Sequence, residues 1–187
     1  MEALVNAIDL LMEEHHALES VLGALEAATK RLRGGESVPA GVVEDIFLFC
    51  RRFTDGCHHV HEEQILFPAL AAHGLTSDLT PMSALAAQHE SGRAFLAELQ
   101  AAYARFCEGD DAARQDVYLL AREYVGMLRE HISIENHYFR SPAAQALTPE
   151  EDTRLAQAIM ACRNGGAAER QGFLDLAERH RQLVASW

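Results

Sequence analysis

Four long stretches of helical periodicity, set apart by chain breakers, organise this sequence. Gly34-Gly35 and Pro39 close the first, and Gly74 and Pro81 flank the second break. Gly109-Asp110-Asp111 forms the third and Ser141-Pro142 the fourth. The stretches between them run over about 3–33, 39–73, 80–108 and 111–140. Each is long enough for a helix of roughly 40 Å. Short connections favour antiparallel neighbours, so the spacing predicts an all-α, up-down-up-down four-helix bundle.

Two more helices are expected after it. Thr148-Pro149-Glu150-Glu151 reads as a capping box that opens a helix over about 149–163. Gly165-Gly166 then sets off another at about 167–185. This divides the chain into a bundle domain, 1–142, and a C-terminal helical extension, 143–187. The extension carries two apolar stripes, one with Leu155, Ala156, Ile159 and Met160, the other with Phe173, Leu176, Ala177, His180, Leu183 and Val184. They are expected to pack on the bundle or, in the competing reading, to form a homodimer interface. Pro68 lies inside the second stretch and predicts a kink there.

Composition supports helix and narrows the partners. Ala, Leu and Glu are abundant, while β-branched residues are sparse. The formal net charge of −12 argues against nucleic acid and anionic membranes as partners. No apolar run is long enough to span a bilayer, and Met1–His16 lacks the basic start of a signal peptide, so a cytoplasmic protein is expected. The cysteines are Cys50, Cys57, Cys107 and Cys162. None forms a CxxC pair. Cys50 and Cys57 lie about 10 Å apart on one helix, too far for a disulfide. All four are expected to be reduced.

Ten histidines are more than a core can absorb without partners. Two segments share H-x-x-x-E: His58 with Glu62, and His131 with Glu135. Residues four apart lie on one helix face, about 6 Å apart. At 100° per residue, Phe47, Thr54, Ile65 and Ala69 fall near His58 and Glu62. Val117, Leu120, Tyr124, Met127 and Tyr138 fall near His131 and Glu135. An ionised carboxylate on such a face needs a partner, and a metal supplies one.

His15 and His89 complete the pattern on the other two helices, each on an apolar face. His15 precedes His58 by 43 residues, and His89 precedes His131 by 42. Each half of the bundle thus offers one His and then H-x-x-x-E. This predicts two metal sites back to back, with Glu62 and Glu135 between them. Imidazole and carboxylate donors suit iron, manganese or zinc, and bridging carboxylates favour iron. Other metal motifs fail: HExxH would need His at position 65, which is Ile65. Of the paired E-x-x-H of ferritin-like bundles, only Glu13 with His16 is present.

These residues resemble the hemerythrin-like (HHE) cation-binding family. The matching segments are Glu14-His15, then His58 with Glu62-Glu63 and Leu66-Phe67-Pro68, then Gln88-His89-Glu90-Ser91-Gly92-Arg93, then His131-Ile132 with Glu135-Asn136. They occur in order on four helices across about 3–142. The resemblance implies His15, His58, Glu62, His89, His131 and Glu135 as ligands of two bridged iron ions. Oxygen-carrying members add a histidine through H-x-x-x-H on the third helix, where this chain has Leu85, His89 and Arg93. The resemblance therefore points away from reversible oxygen transport and toward members that handle peroxide, nitric oxide or iron under oxidative stress.

The leading expectation is a non-haem di-iron protein that binds or reduces oxygen, peroxide or nitric oxide. Its rivals are an iron or oxygen sensor or iron-handling protein without turnover, and a structural bundle that binds zinc incidentally. Around the site, His59, His61, Glu63 and His137 adjoin the ligands, with His61 expected in solvent. Glu19 follows His15 by four and is expected to pair with Arg93. Tyr124 and Tyr138 share the face of His131, and the Tyr138 hydroxyl is expected near the site as an electron or hydrogen-bond donor.

Overall fold

The computed structural model describes residues 6–39, 41–76, 80–140, 144–161 and 166–187. Among these residues there is no strand. Helix α1 spans Ala7–Arg33, and its N-cap Asn6 accepts a hydrogen bond from the Asp9 N–H at 2.8 Å. The second helix, α2, covers residues 42–72. Helix α3 is Met82–Cys107 and α4 is Ala113–Tyr138. The C-terminal helices are α5, Pro149–Ala161, and α6, Gly166–Ala185. The capping box before α5 forms: the Thr148 N–H donates to Glu151 Oε2 at 2.9 Å, and the Glu151 N–H donates to Thr148 Oγ1 at 3.3 Å.

Side-chain contacts give the direction of each neighbour. Between α3 and α4, His89 meets His131 and Arg105 meets Asp116. Between α1 and α4, His15 meets Asn136 and Arg33 covers the Tyr118 ring. Between α2 and α3, Glu63 meets His89 and Glu44 meets Tyr103. In every pair the numbers rise on one helix as they fall on the other, so these neighbours are antiparallel.

Helix α2 is not uniformly α. It is α over Val42–Phe49, His59–His61 and Phe67–Ala72. Between these lie two π-helical segments, Cys50–His58 and Glu62–Leu66. The His59 N–H reaches back to Thr54 O and the Phe67 N–H to Glu62 O, each five residues away. Each wide turn takes up an extra residue and moves the buried face along the chain. Thr54 and Phe47 are buried as 100° spacing predicts, but past Glu62 the buried residues are Leu66, Phe67 and Leu70, not Ile65 and Ala69. Pro68 is the second residue of the last α segment, directly after the second wide turn, so the lost N–H falls where the ladder is already irregular.

The core has two apolar clusters. One joins α1, α2, α3 and α4 around Leu25, Phe53, Leu99 and Tyr124, and takes in Phe173, Leu176 and Ala177 of α6. The other lies around Leu11, Leu70, Leu85 and Phe139, and takes in Leu155, Ala156 and Ile159 of α5. The stripes of the extension thus face the bundle, except that Met160 is exposed. Cys50 and Cys107 carry free thiols. Cys57 is disulfide-bonded, which corrects the expectation of a reduced thiol there. Helix spacing excludes a partner on the same helix only, not one that the fold brings up. Cys162 lies outside the described residues. No described helix is long and apolar enough to cross a membrane.

Phe173 rests against Phe49 and Phe53, with ring centroids 5.9 and 5.6 Å away. Phe173→Ala should therefore cost about 3–5 kcal/mol in urea or thermal unfolding. Met160→Ala, at the exposed end of the α5 stripe, should stay within about 0.5 kcal/mol. Equal small effects would mean that α6 is not docked on the bundle in solution.

Candidate metal centre

Between the two apolar clusters, the four helices each turn a histidine inward at one depth. His15 comes from α1, His58 and Glu62 from α2, His89 from α3, and His131 and Glu135 from α4. His58, Glu62, His89, His131 and Glu135 have no exposed surface, and His15 is 2% exposed. Their donor atoms fall into two groups. One holds His15, His58, Glu62 and Glu135, and the other holds His89, His131, Glu62 and Glu135; in each, all donor atoms lie within 4.8 Å of one another. The two carboxylates belong to both groups. The structure thus brings together all six residues singled out in the sequence.

Most short contacts inside the cluster run from imidazole to carboxylate, and one joins two imidazoles, His89 Nε2 and His131 Nε2 at 3.1 Å. His131 Nε2 is 3.0 Å from Glu135 Oε1, and His15 Nε2 is 3.2 Å from Glu135 Oε2. His89 Nε2 lies 3.4 Å from Glu62 Oε2, and His58 Nε2 lies 3.6 Å from Glu62 Oε1. Yet both oxygens of Glu62, both oxygens of Glu135, and Nε2 of His15 and His58 are buried without a hydrogen-bond partner. Four carboxylate oxygens left so in a core are costly unless cations compensate them. Two imidazoles and two shared carboxylates per group form a donor set that fits iron, manganese or zinc.

The outward nitrogen of each histidine is held by a neighbouring helix. Glu14 Oε2 of α1 sits 2.9 Å from His58 Nδ1, and Glu63 Oε1 of α2 sits 2.7 Å from His89 Nδ1. Gln88 Oε1 of α3 is 3.1 Å from His131 Nδ1, and Asn136 Oδ1 of α4 is 2.9 Å from His15 Nδ1. With oxygen acceptors at every Nδ1, the proton belongs there and Nε2 is left as a lone-pair donor to the centre. The supports form a closed ring, from α1 to α2, α2 to α3, α3 to α4 and α4 back to α1. Each supporting residue is adjacent in sequence to a cluster residue on its own helix. That adjacency was the available signal, but only the packing shows that each serves the next helix.

Other expectations fare differently. Glu19 pairs with Arg129, at 3.3 Å, and not with Arg93. Arg93 binds Glu90 at 3.0 Å and approaches Glu63 at 3.5 Å. Arg129 of α4 reaches both Glu19 and Glu26 of α1. His61 is buried, not in solvent as expected, because Leu155 and Ile159 of α5 close over that side of α2 beside it. His137 is exposed. Tyr124 lies in the larger apolar cluster with its hydroxyl against Cys50. Tyr138 packs on Phe139 in the other cluster, its hydroxyl turned toward Thr80. His59 gains an importance that its sequence position did not reveal. It is buried, stacks on His89 with centroids 3.9 Å apart, and takes Asp55 at 3.0 Å on Nδ1. It shares a third candidate donor group with His89 and His131.

The sequence profile described as the Hemerythrin HHE cation binding domain matches residues 6–140. Two uncharacterized proteins, one of Mycobacterium bovis and one of Mycobacterium tuberculosis, are each 30% identical to this chain over 135 residues. The shared segment is 72% of this chain and 52% of each relative, so the chain spans about half the length of the curated relatives it matches. No solved structure matches it.

Without metal, the cluster must balance its own charge. Burial pulls the His58 imidazole down, but the charge of Glu62 and the bond to Glu14 outweigh it and raise it to about 9. Burial likewise opposes the charge on His89, and Glu135 and Glu62 overcome it, to about 10. Burial raises the Glu135 carboxyl, but His131, His15 and His89 together hold it well below the usual range. Raised histidines stabilise the fold fully below their unfolded value of about 6.5, and that stability is lost as pH climbs through 9 to 10. The metal-free protein should therefore melt at progressively lower temperature from pH 7 to pH 10. Metal binding needs neutral imidazole and should strengthen over the same range. Thermal melts with and without chelator at each pH check both; a flat metal-free profile would mean the histidines are neutral at pH 7.

Proposed function

The chain belongs to the hemerythrin HHE cation-binding family, and from that premise we propose that it is a non-haem di-iron protein that binds or reduces oxygen, peroxide or nitric oxide. The observation that carries this reading is the pair of shared carboxylates, Glu62 and Glu135, whose buried oxygens are faced by the inward nitrogens of the four histidines. In this reading His15 and His58 hold one iron and His89 and His131 the other, with both carboxylates common to the two. Iron bound there would supply one-electron redox chemistry and a position for a small exchangeable ligand.

The chain's own contribution is orientation and exclusion of water. The ring of Glu14, Glu63, Gln88 and Asn136 holds each Nε2 toward the centre before any ion arrives. The apolar clusters on either side, with Leu11 and Phe139 on one and Phe53 and Leu128 on the other, keep bulk solvent from the carboxylates. His59, with its Nδ1 tied to Asp55, stands beside the His89 half, and burial keeps its imidazole neutral, so its Nε2 is left as an acceptor. Both supports of that half, Glu63 and Gln88, are half-buried, whereas Glu14 of the other half is fully buried. A small oxidant is expected to enter there.

The alternative, an iron or oxygen sensor without turnover, is favoured by one observation: the extension 143–187 sends Arg170 into contact with the support of His58. In either reading, protein reconstituted anaerobically should saturate at two irons per chain, and removing them should lower the melting temperature markedly. Saturation at one metal, or an unchanged melting curve after confirmed removal, would sink the paired centre. Protein isolated with zinc and no iron, and no spectral response of its iron-loaded form to oxygen, peroxide or nitric oxide, would favour a structural bundle. Consumption of added peroxide over many cycles separates the enzyme from the sensor.

A further inference from the structure

We propose that Arg170, which lies on α6 beyond the family-matched segment, is a positioning residue of the metal centre, fixing Glu14 and through it His58. This rests on the di-iron reading above and extends it to one half of the centre. The Arg170 Nε donates to Glu14 Oε1 at 2.9 Å, while the other carboxylate oxygen, Oε2, is 2.9 Å from His58 Nδ1. One carboxylate therefore couples a guanidinium to a candidate ligand. The second arm of the fork donates to Glu13 Oε2 at 2.9 Å. Arg170 is 4% exposed and Glu14 is 1% exposed, so water screens neither.

The need for this arginine follows from burial. The supports of His15 and His131 are neutral amides and need no counter-charge. Glu63, the support of His89, is 30% exposed and can keep its charge with solvent and Arg93. Glu14 alone among the four is a fully buried carboxylate, and with His58 held neutral by a metal a single imidazole N–H would not offset its ionisation. Arg170 supplies the charge, and its planar fork fixes the carboxylate's direction through two bonds to the α1 acids. The position of the guanidinium is in turn set by the docking of α6. Phe173, three residues on, seats that helix against Phe49 and Phe53. Arg52 and Glu169 pair across its flank. The two halves of the centre are thereby unequal: the His15/His58 half depends on the extension, and the His89/His131 half does not.

The experiment is metal titration of the full chain with iron(II) and with cobalt(II), read by affinity and by the visible spectrum of the cobalt-loaded protein, for wild type, R170M, R170K, E14Q and the double variant E14Q/R170M. R170M should weaken one of the two binding steps about 10- to 100-fold and alter part of the cobalt spectrum, leaving the other step unchanged. R170K, which keeps the charge without the fork, should recover part of the loss. R170M should add little in the E14Q background, because the arginine acts through Glu14. If R170M loses helix content, R170K and E14Q carry the same comparison. A folded R170M with both affinities and the cobalt spectrum of wild type would overturn the inference alone, as would an undiminished effect of R170M on top of E14Q. A wild type that takes up a single metal would overturn the di-iron reading and this inference with it.

Discussion

Two carboxylates placed side by side in the middle of a helical bundle, fully buried and faced by imidazole nitrogens, are the constraint to which the rest of this structure answers. Ionised and bare, Glu62 and Glu135 would oppose folding. Everything within reach of them is arranged to meet that charge. Four imidazoles point their Nε2 atoms inward, and four side chains behind those imidazoles keep them from turning away. The buried carboxylates and their histidines are gathered into one layer between the two apolar clusters.

The ring of supports distributes that layer over the whole bundle. No helix completes its own histidine; each is held by the helix before it, from Glu14 and His58 around to Asn136 and His15. A shift of any one helix therefore disturbs two histidines, its own and the one it supports. Such mutual dependence favours a single packing over the many that an Ala- and Leu-rich bundle could otherwise adopt. The supports also differ in kind, amide on two histidines and carboxylate on two. That difference lets the extension act on one half of the centre only, through Arg170.

The wide turns of α2 are the second departure from regularity, and they flank the cluster residues of that helix. His58 ends one π segment and Glu62 begins the other. Inserted residues of this kind loosen backbone hydrogen bonding and re-aim side chains, and in helices they concentrate at functional sites. His58, His59, His61 and Glu62 all lie in the interior, and past Glu62 the second wide turn moves burial from Ile65 and Ala69 to Leu66 and Leu70. Asp55 lies under His59, adding a fifth supported imidazole to the centre.

Helix number, helix ends and the six inward residues could be read from the chain because each rests on short-range physics. Glycine and proline interrupt helices wherever they stand, Thr148 caps through neighbours three residues away, and H-x-x-x-E shares a face by the pitch of a single helix. Repetition of one pattern at nearly equal spacing then implied that the faces meet. What the chain alone left open involves pairs distant in sequence or a change of pitch. The ring of supports, the pairing of Glu19 with Arg129 in place of Arg93, and the reach of Arg170 to Glu14 all depend on which helix stands beside which. The disulfide at Cys57 depends on it as well. The burial of Leu66 and Leu70 in place of Ile65 and Ala69 follows the wide turns of α2, which no residue count at 100° per step anticipates. Local periodicity determines which side of a helix faces in; only packing decides what that side meets.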